Sequence, residues 1–135
     1  MGVVYHGAYV PWLEIARTEL LRLSGISYRE LEAQGVLLVV VRLETRYRRP
    51  VKYDDVVEVR TRVSKTSAVK IEHEYELVVV ERDGAASEET AATAATTLAC
   101  VDRAGKVRAL PAWLSGTPDG VGRSEAGQSP NGLVC

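Results

Sequence analysis

Long apolar runs are missing from this chain. Stretches such as Val36–Val41 and Leu77–Val80 fall far short of the roughly 20 apolar residues that span a bilayer as a helix. Cysteine is scarce as well. Cys100 and Cys135 are the only two, too few for a disulfide scaffold and without metal-ligand spacing. Cys100 reads as a small apolar strand residue and Cys135 as a free thiol on a loose tail. An excess of one charge is also lacking. The 135 residues carry a formal net charge of -1, so no bulk attraction draws the chain to nucleic acid or to an anionic membrane. Glycine-rich phosphate loops, zinc signatures and serine nucleophile elbows do not occur. The start, Met1–His6, has neither a basic n-region nor a cleavage site of a signal peptide. Together these absences point to a cytoplasmic globular protein with no membrane span, no nucleic-acid partner and no metal.

What is present suffices for one domain with a real core: 46% of residues are hydrophobic. Tyr9, Leu13, Ala16, Leu20 and Leu23 recur at alternating spacings of four and three, which predicts a helix over Gly7–Leu23 with Glu14, Arg17, Thr18 and Arg22 on its other faces. Pro11 lacks an N–H and belongs in a first turn, where donors have no helical acceptor anyway. Gly25 is a stop signal. A short helix over Tyr28–Gln34 follows and ends at Gly35.

From Val36 the period becomes two. Val36–Arg48 is rich in β-branched residues and closes at Pro50. In Val56–Ser64, Val57, Val59, Thr61 and Val63 alternate with Glu58, Arg60 and Arg62. Lys65–Ala68 reads as a turn. Val69–Arg82 reads as a long strand with Ile71, His73, Tyr75, Leu77 and Val79 on one face. Asp83-Gly84 is a hairpin signal. Ala85–Val101 follows that hairpin and is rich in threonine, so it reads as a fourth strand despite its alanines. Lys106–Leu110 continues it or forms a short closing strand. The fold class is therefore α+β, an antiparallel sheet with a helix packed on one face. The domain covers residues 1–115. Gly116–Cys135 is too poor in apolar residues to offset its ordering entropy and reads as a disordered tail.

Several separate segments occur in a recognisable order. They are Gly2-Val3-Val4-Tyr5-His6, then Tyr9, Trp12, Glu14, Ala16-Arg17 and Glu19, then Gly25, Gly35 and Arg49-Pro50, and finally Tyr53-Asp54-Asp55 leading into Val57-Glu58-Val59-Arg60-Thr61. This series resembles the 4-hydroxybenzoyl-CoA thioesterase and YbgC-like branch of the hotdog superfamily, over roughly Met1 to Trp113. The resemblance implies a sheet wrapped around a central helix, and hydrolysis of an acyl-CoA or acyl carrier protein thioester without a cofactor. It also implies a homo-oligomer, a dimer or a dimer of dimers (a homotetramer), whose sheets join edge to edge and whose active sites lie at the dimer interface. In that family a catalytic Asp sits three residues before the glycine of the motif, at the end of a first strand. Here that position falls before Met1, so the expectation is that the natural chain begins upstream and supplies both strand and Asp.

Thioester hydrolysis needs a base and a donor for the developing oxyanion. A helix N-terminus offers free N–H groups and the positive end of the dipole. The backbone N–H of His6, with that of Gly7, is the candidate oxyanion hole, as the resemblance also implies. Gly7 would allow close approach of substrate. The His6 side chain is suited to contact the acyl group or hold water, and Tyr5 to shape the pocket. Tyr9 is a candidate substrate contact, whereas Trp12 reads as helix-to-sheet packing. Glu14 is the alternative base, but a structural role is favoured: buried and hydrogen-bonded, or paired with Arg17 at i+3. Coenzyme A phosphates call for basic groups. By similarity these are Lys65, Ser67, Lys70, Lys106 and Arg108. Arg46, Arg48 and Arg49 read as an exposed strand end, His73 as a core-edge histidine, and Asp54-Asp55 as turn formers. Two further readings stay open: a hotdog hydratase or dehydratase, and a non-catalytic module that binds acyl carriers.

Overall fold

A computed structural model describes residues 2–115; the expected tail, Cys135 included, lies outside them. After a 3-10 turn at His6–Ala8 the elements are α1 (Tyr9–Leu23), α2 (Tyr28–Ala33), β1 (Leu37–Tyr47), β2 (Val56–Thr66), β3 (Lys70–Arg82), β4 (Ala85–Val101) and a single-turn α3 (Ala112–Ser115). The expected boundaries hold within two residues, apart from the start of the long helix, which is 3-10 and not α. Lys65 and Thr66 were expected in a turn. They extend β2 instead, opposite Glu72 and Ile71, and the chain reverses at residues 67–69. Lys106–Leu110 forms no strand; one bridge, Val101 to Val107, is all that remains of it.

The sheet order is β1-β4-β3-β2 and every pairing is antiparallel. The β3–β4 hairpin turns on Asp83 (φ 54°) and Gly84 (φ 77°), both left-handed, as a two-residue type I′ turn requires. The other turn residues act as read. Asp55 accepts the Lys52 N–H at 2.8 Å and is held by Arg82 at 2.6 and 2.9 Å. Burial pushes this carboxyl up, but the Arg82 hydrogen bond, the Lys52 N–H and the Arg82 charge hold it below its usual range. At the start of α2, Ser27 Oγ accepts the Glu30 N–H at 3.2 Å.

α1 lies across the sheet. Tyr9, Trp12, Leu13 and Ala16 pack on Val57 and Val59 of β2, Tyr75, Leu77 and Val79 of β3, and Ala91, Ala92 and Ala94 of β4. The period-two face of β3 is buried from Ile71 through His73, Tyr75, Leu77 and Val79, as expected. The alanines of β4 now have a reason: each small side chain opposite a larger one leaves room for the helix. A second cluster joins Leu31, Val36, Ile71, Cys100 and Leu110 at the far end. Burial there pushes the Cys100 thiol up.

Two residues of α1 depart from the expected stripe. Leu23 is 69% exposed, because the helix outruns the sheet beneath it. Arg17, assigned to an outer face, is buried. Its Nη1 donates to the Tyr75 hydroxyl at 3.3 Å, which shares a 2.7 Å hydrogen bond with Thr96 Oγ1. The expected Glu14–Arg17 pair does not form, and Glu14 is exposed. The long guanidinium stem can reach past the helix to hydroxyls on the sheet, whereas Glu14 points to solvent two turns along.

Candidate active site

The chain enters α1 through Val4, whose N–H bonds to the Val51 carbonyl at 2.7 Å, and Val3, which bridges to Lys52. This pins the turn His6–Ala8 against the end of the sheet. Tyr5 enters the turn in extended geometry (φ -60°, ψ 132°), and the Ala8 N–H caps back to its carbonyl. The N–H groups of His6 and Gly7 stand at the free N-terminal end, where a helix has no acceptor for its own donors. Among the described residues neither makes a backbone hydrogen bond outside helices and strands.

Around these donors is an open concavity of about 570 Å³, walled by Val4, Tyr5, His6, Tyr9, Tyr47 and Arg49 among others. Tyr5 and His6 are exposed, with ring centroids 4.4 Å apart. The Tyr47 hydroxyl donates to the His6 carbonyl at 3.3 Å, and its ring meets Tyr9 edge-on at 5.1 Å. Tyr9 stacks on Trp12 at 5.0 Å. Both Tyr9 and Trp12 are buried, so Tyr9 serves mainly as the floor, and burial raises its hydroxyl pKa. The space over Gly7 is taken by the Tyr5 ring: a Cβ at Gly7 would come within 2.4 Å of it. Gly7 therefore admits Tyr5, where the sequence had suggested room for a substrate.

The expected residues divide between two ends of the molecule. His6, Tyr5, Gly7 and Tyr9 gather beside the Tyr47 end of β1. Glu14 lies outside the concavity on the outer side of α1, in a shallow depression with Pro11, Ile15 and Thr18. Lys65, Ser67, Lys70, Lys106 and Arg108 sit at the opposite end of the sheet. Lys70 pairs with Ala99 on β4, and Arg108 N–H reaches the Cys100 carbonyl at 3.0 Å. Some are already engaged: Ser67 Oγ accepts the Lys70 N–H, and Arg108 Nη1 donates to the Gly35 carbonyl at 3.2 Å. The distance between the two ends is set by β1, whose eleven residues span roughly 33 Å at about 3.3 Å per residue.

Sequence reading missed Tyr47, Arg48 and Arg49 as walls of the concavity and Arg17 as a buried cation. The contact of Tyr47 with His6 joins residues 41 apart, which no local pattern encodes.

Residues 1–117 match the thioesterase-like superfamily. The chain belongs to that superfamily. A putative esterase of Synechocystis is 35% identical over 112 residues, which cover 82% of this chain and 64% of that protein. The acyl-CoA thioester hydrolase YbgC of Escherichia coli O6:H1 is 35% identical over 80 residues, 59% of this chain and 60% of that protein. Matches thus span about 60% of the length of these curated relatives. The crystal structure of a DHNA-CoA thioesterase from Staphylococcus aureus superimposes with a TM-score of 0.72 at 34% identity, over 82% of this chain and 70% of that one. The fold of this thioesterase-like chain is therefore the hotdog: one long helix on an antiparallel sheet. Among the described residues no helix is long and apolar enough to cross a membrane.

Proposed function

We propose that this chain hydrolyses acyl thioesters, carried by coenzyme A or by acyl carrier protein, as a homodimer joined along β1. The observation that carries the reading is the turn at His6: His6 lines an open concavity, and among the described residues its N–H makes no backbone hydrogen bond outside helices and strands. A thioester carbonyl seated there accepts from the His6 N–H, helped by the positive end of α1. Water adds to the carbonyl carbon and gives up a proton to a base. The tetrahedral intermediate collapses, the C–S bond breaks, and the thiolate leaves with that proton. Among the described residues the concavity holds no carboxylate. Candidate bases are the His6 imidazole, Glu14 and the Asp that the resemblance places before Gly2. Tyr5 and Tyr47 wall the acyl group.

The dimer follows from β1. One edge of this strand is unpaired, and Val39, Val40, Val41, Leu43 and Tyr47 on it are 40–54% exposed. An apolar edge of this kind invites a second copy. Antiparallel pairing about a twofold axis would set Leu37 of one copy opposite Tyr47 of the other. It would thereby bring Lys70 and Arg108 of one copy toward His6 of its partner, where the phosphates of coenzyme A need cations. YbgC, an acyl-CoA thioester hydrolase, and the DHNA-CoA thioesterase of Staphylococcus aureus agree with acyl-CoA as substrate. A dimer of dimers and a cytoplasmic setting belong to the same reading.

Thiol release from short, long and aromatic acyl-CoAs tests it, with this chain beside one extended through the upstream reading frame. Turnover by the extended chain alone assigns the base to the upstream Asp. Turnover by both turns attention to His6 and Glu14. If neither turns over, hydrolysis is wrong, and the absence of a carboxylate from the described concavity favours a module that binds acyl carriers.

A further inference from the structure

A second cavity, of about 100 Å³, lies between the C-terminal half of α1 and the sheet. Its walls include Leu20, Tyr28, Leu38, Val63, Ile71 and His73. Most of this lining is apolar, yet two buried polar atoms meet it without a hydrogen-bond partner among the described residues: Nδ1 of His73, a residue only 6% exposed, and Oγ1 of Thr66. A buried polar atom without a partner costs folding free energy unless something else supplies one. Burial and the nearby Arg17 charge depress the His73 pKa to about 3, so its imidazole is neutral and offers one donor and one acceptor.

We propose that this cavity receives the far end of a compact acyl group whose thioester is held at His6 of the partner copy, and that His73 and Thr66 select acyl groups with a hydroxyl there. The inference rests on the dimeric thioesterase reading above and specifies its substrate. Three observations support it. Leu38 belongs both to the cavity wall and to β1, the open edge strand, so the cavity reaches the strand on which a second copy would pair. α1 runs antiparallel to β1: its start touches Tyr47, and its end shares the cavity with Leu38. Within one chain, thirteen or so residues of helix put roughly 20 Å between His6 and the cavity at about 1.5 Å per residue, whereas twofold pairing brings the partner's Tyr47 end to Leu38. Finally, the volume is below the ~150 Å³ of an apolar cavity that admits benzene, which suits a few methylenes or the outer edge of a ring and not a whole one.

The test uses the natural full-length chain and two matched substrate pairs, hexanoyl- and 6-hydroxyhexanoyl-CoA, benzoyl- and 4-hydroxybenzoyl-CoA. The wild type is expected to prefer the hydroxylated member of at least one pair by tenfold or more in kcat/KM, chiefly through KM. His73→Leu is expected to abolish that preference while still hydrolysing the unsubstituted member, which also shows that it folds. An unchanged preference in that variant, or none in the wild type, overturns the inference and leaves hydrolysis standing. Failure of the wild type on all four, and on the wider panel, removes the thioesterase reading and the inference with it.

Complementation tests the route across the dimer. His6→Pro deletes the oxyanion donor, and Leu38→Trp blocks the cavity mouth. If each site uses His6 of one copy and the cavity of the other, mixed dimers of the two inactive variants regain one intact site. If mixing restores nothing although mixed dimers form, the assignment across copies is wrong.

Discussion

The sheet has two edge strands of equal length, β1 and β2, and they are treated differently. β2 buries Val57 and Val59 beneath α1, and Glu58 and Thr61 are buried as well. β1 buries none of its eleven residues fully, although it is the more apolar strand. In β2 the exposed positions, Arg62 and Lys65, carry charge: Arg62 pairs with Glu74, and the half-buried Arg60 bonds Glu58 and Glu88 at 2.5 and 2.8 Å. In β1 the exposed positions include the apolar Val39, Val40, Val41, Leu43 and Tyr47, beside Arg42, Glu44 and Arg46. A charged edge resists pairing and an apolar edge invites it. Of the two edge strands, β1 is therefore the one that fits the pairing proposed above.

The most severe way to break this contrast is Leu43→Lys. It should turn a dimer into a monomer by sedimentation and cut thioester hydrolysis on the order of a hundredfold, while a charge reversal at Arg62 on β2 should leave the assembly intact. A monomeric but fully active Leu43→Lys would separate catalysis from the edge. Next in size is Leu77→Ala, in the core beneath α1. Denaturant titration should show a loss of about 2–5 kcal/mol, whereas Val40→Ala should lose little in the monomeric background, since Val40 is 46% exposed there.

The core beneath α1 also carries an acid sensitivity. Folding depresses the His73 pKa from 6.5 to about 3. The unfolded chain therefore takes up a proton below pH 6.5 that the native chain refuses. This part of the stability is complete above pH 6.5 and is lost as the pH falls toward 3, at up to about 1.4 kcal/mol per pH unit. Between pH 7 and 4.5 the wild type should lose about 2 kcal/mol more than His73→Gln does, and equal losses would mean that the imidazole is protonated in the native state. The smallest effect tests a purely local feature: Ser27→Ala removes the cap of α2 and should cost about 1 kcal/mol.

Much of this was legible in the residues. The period change at Val36, the Asp83-Gly84 turn and the Gly25 and Gly35 stops fix the elements to within a residue or two, because each depends on neighbours a few positions apart. The start of the candidate site was legible too, since a motif at a helix N-terminus carries its donors with it. Glu14 and Arg17 were not. Both are long, charged and one turn apart, and helical periodicity cannot tell which of them finds Tyr75, 58 residues away from Arg17.

The sequence by itself determined the element order, the two faces of β3 and the turn that presents the His6 N–H. Local sterics, backbone hydrogen-bonding and apolar periodicity act over a few residues and need no partner. Only the tertiary structure decided that Tyr47 closes on His6, that Arg17 and His73 are buried, and that β1 stays uncovered. Those outcomes depend on how far one fifteen-residue helix reaches across a four-stranded sheet. That is a matter of the relative size and placement of packed elements, which no single stretch of chain contains.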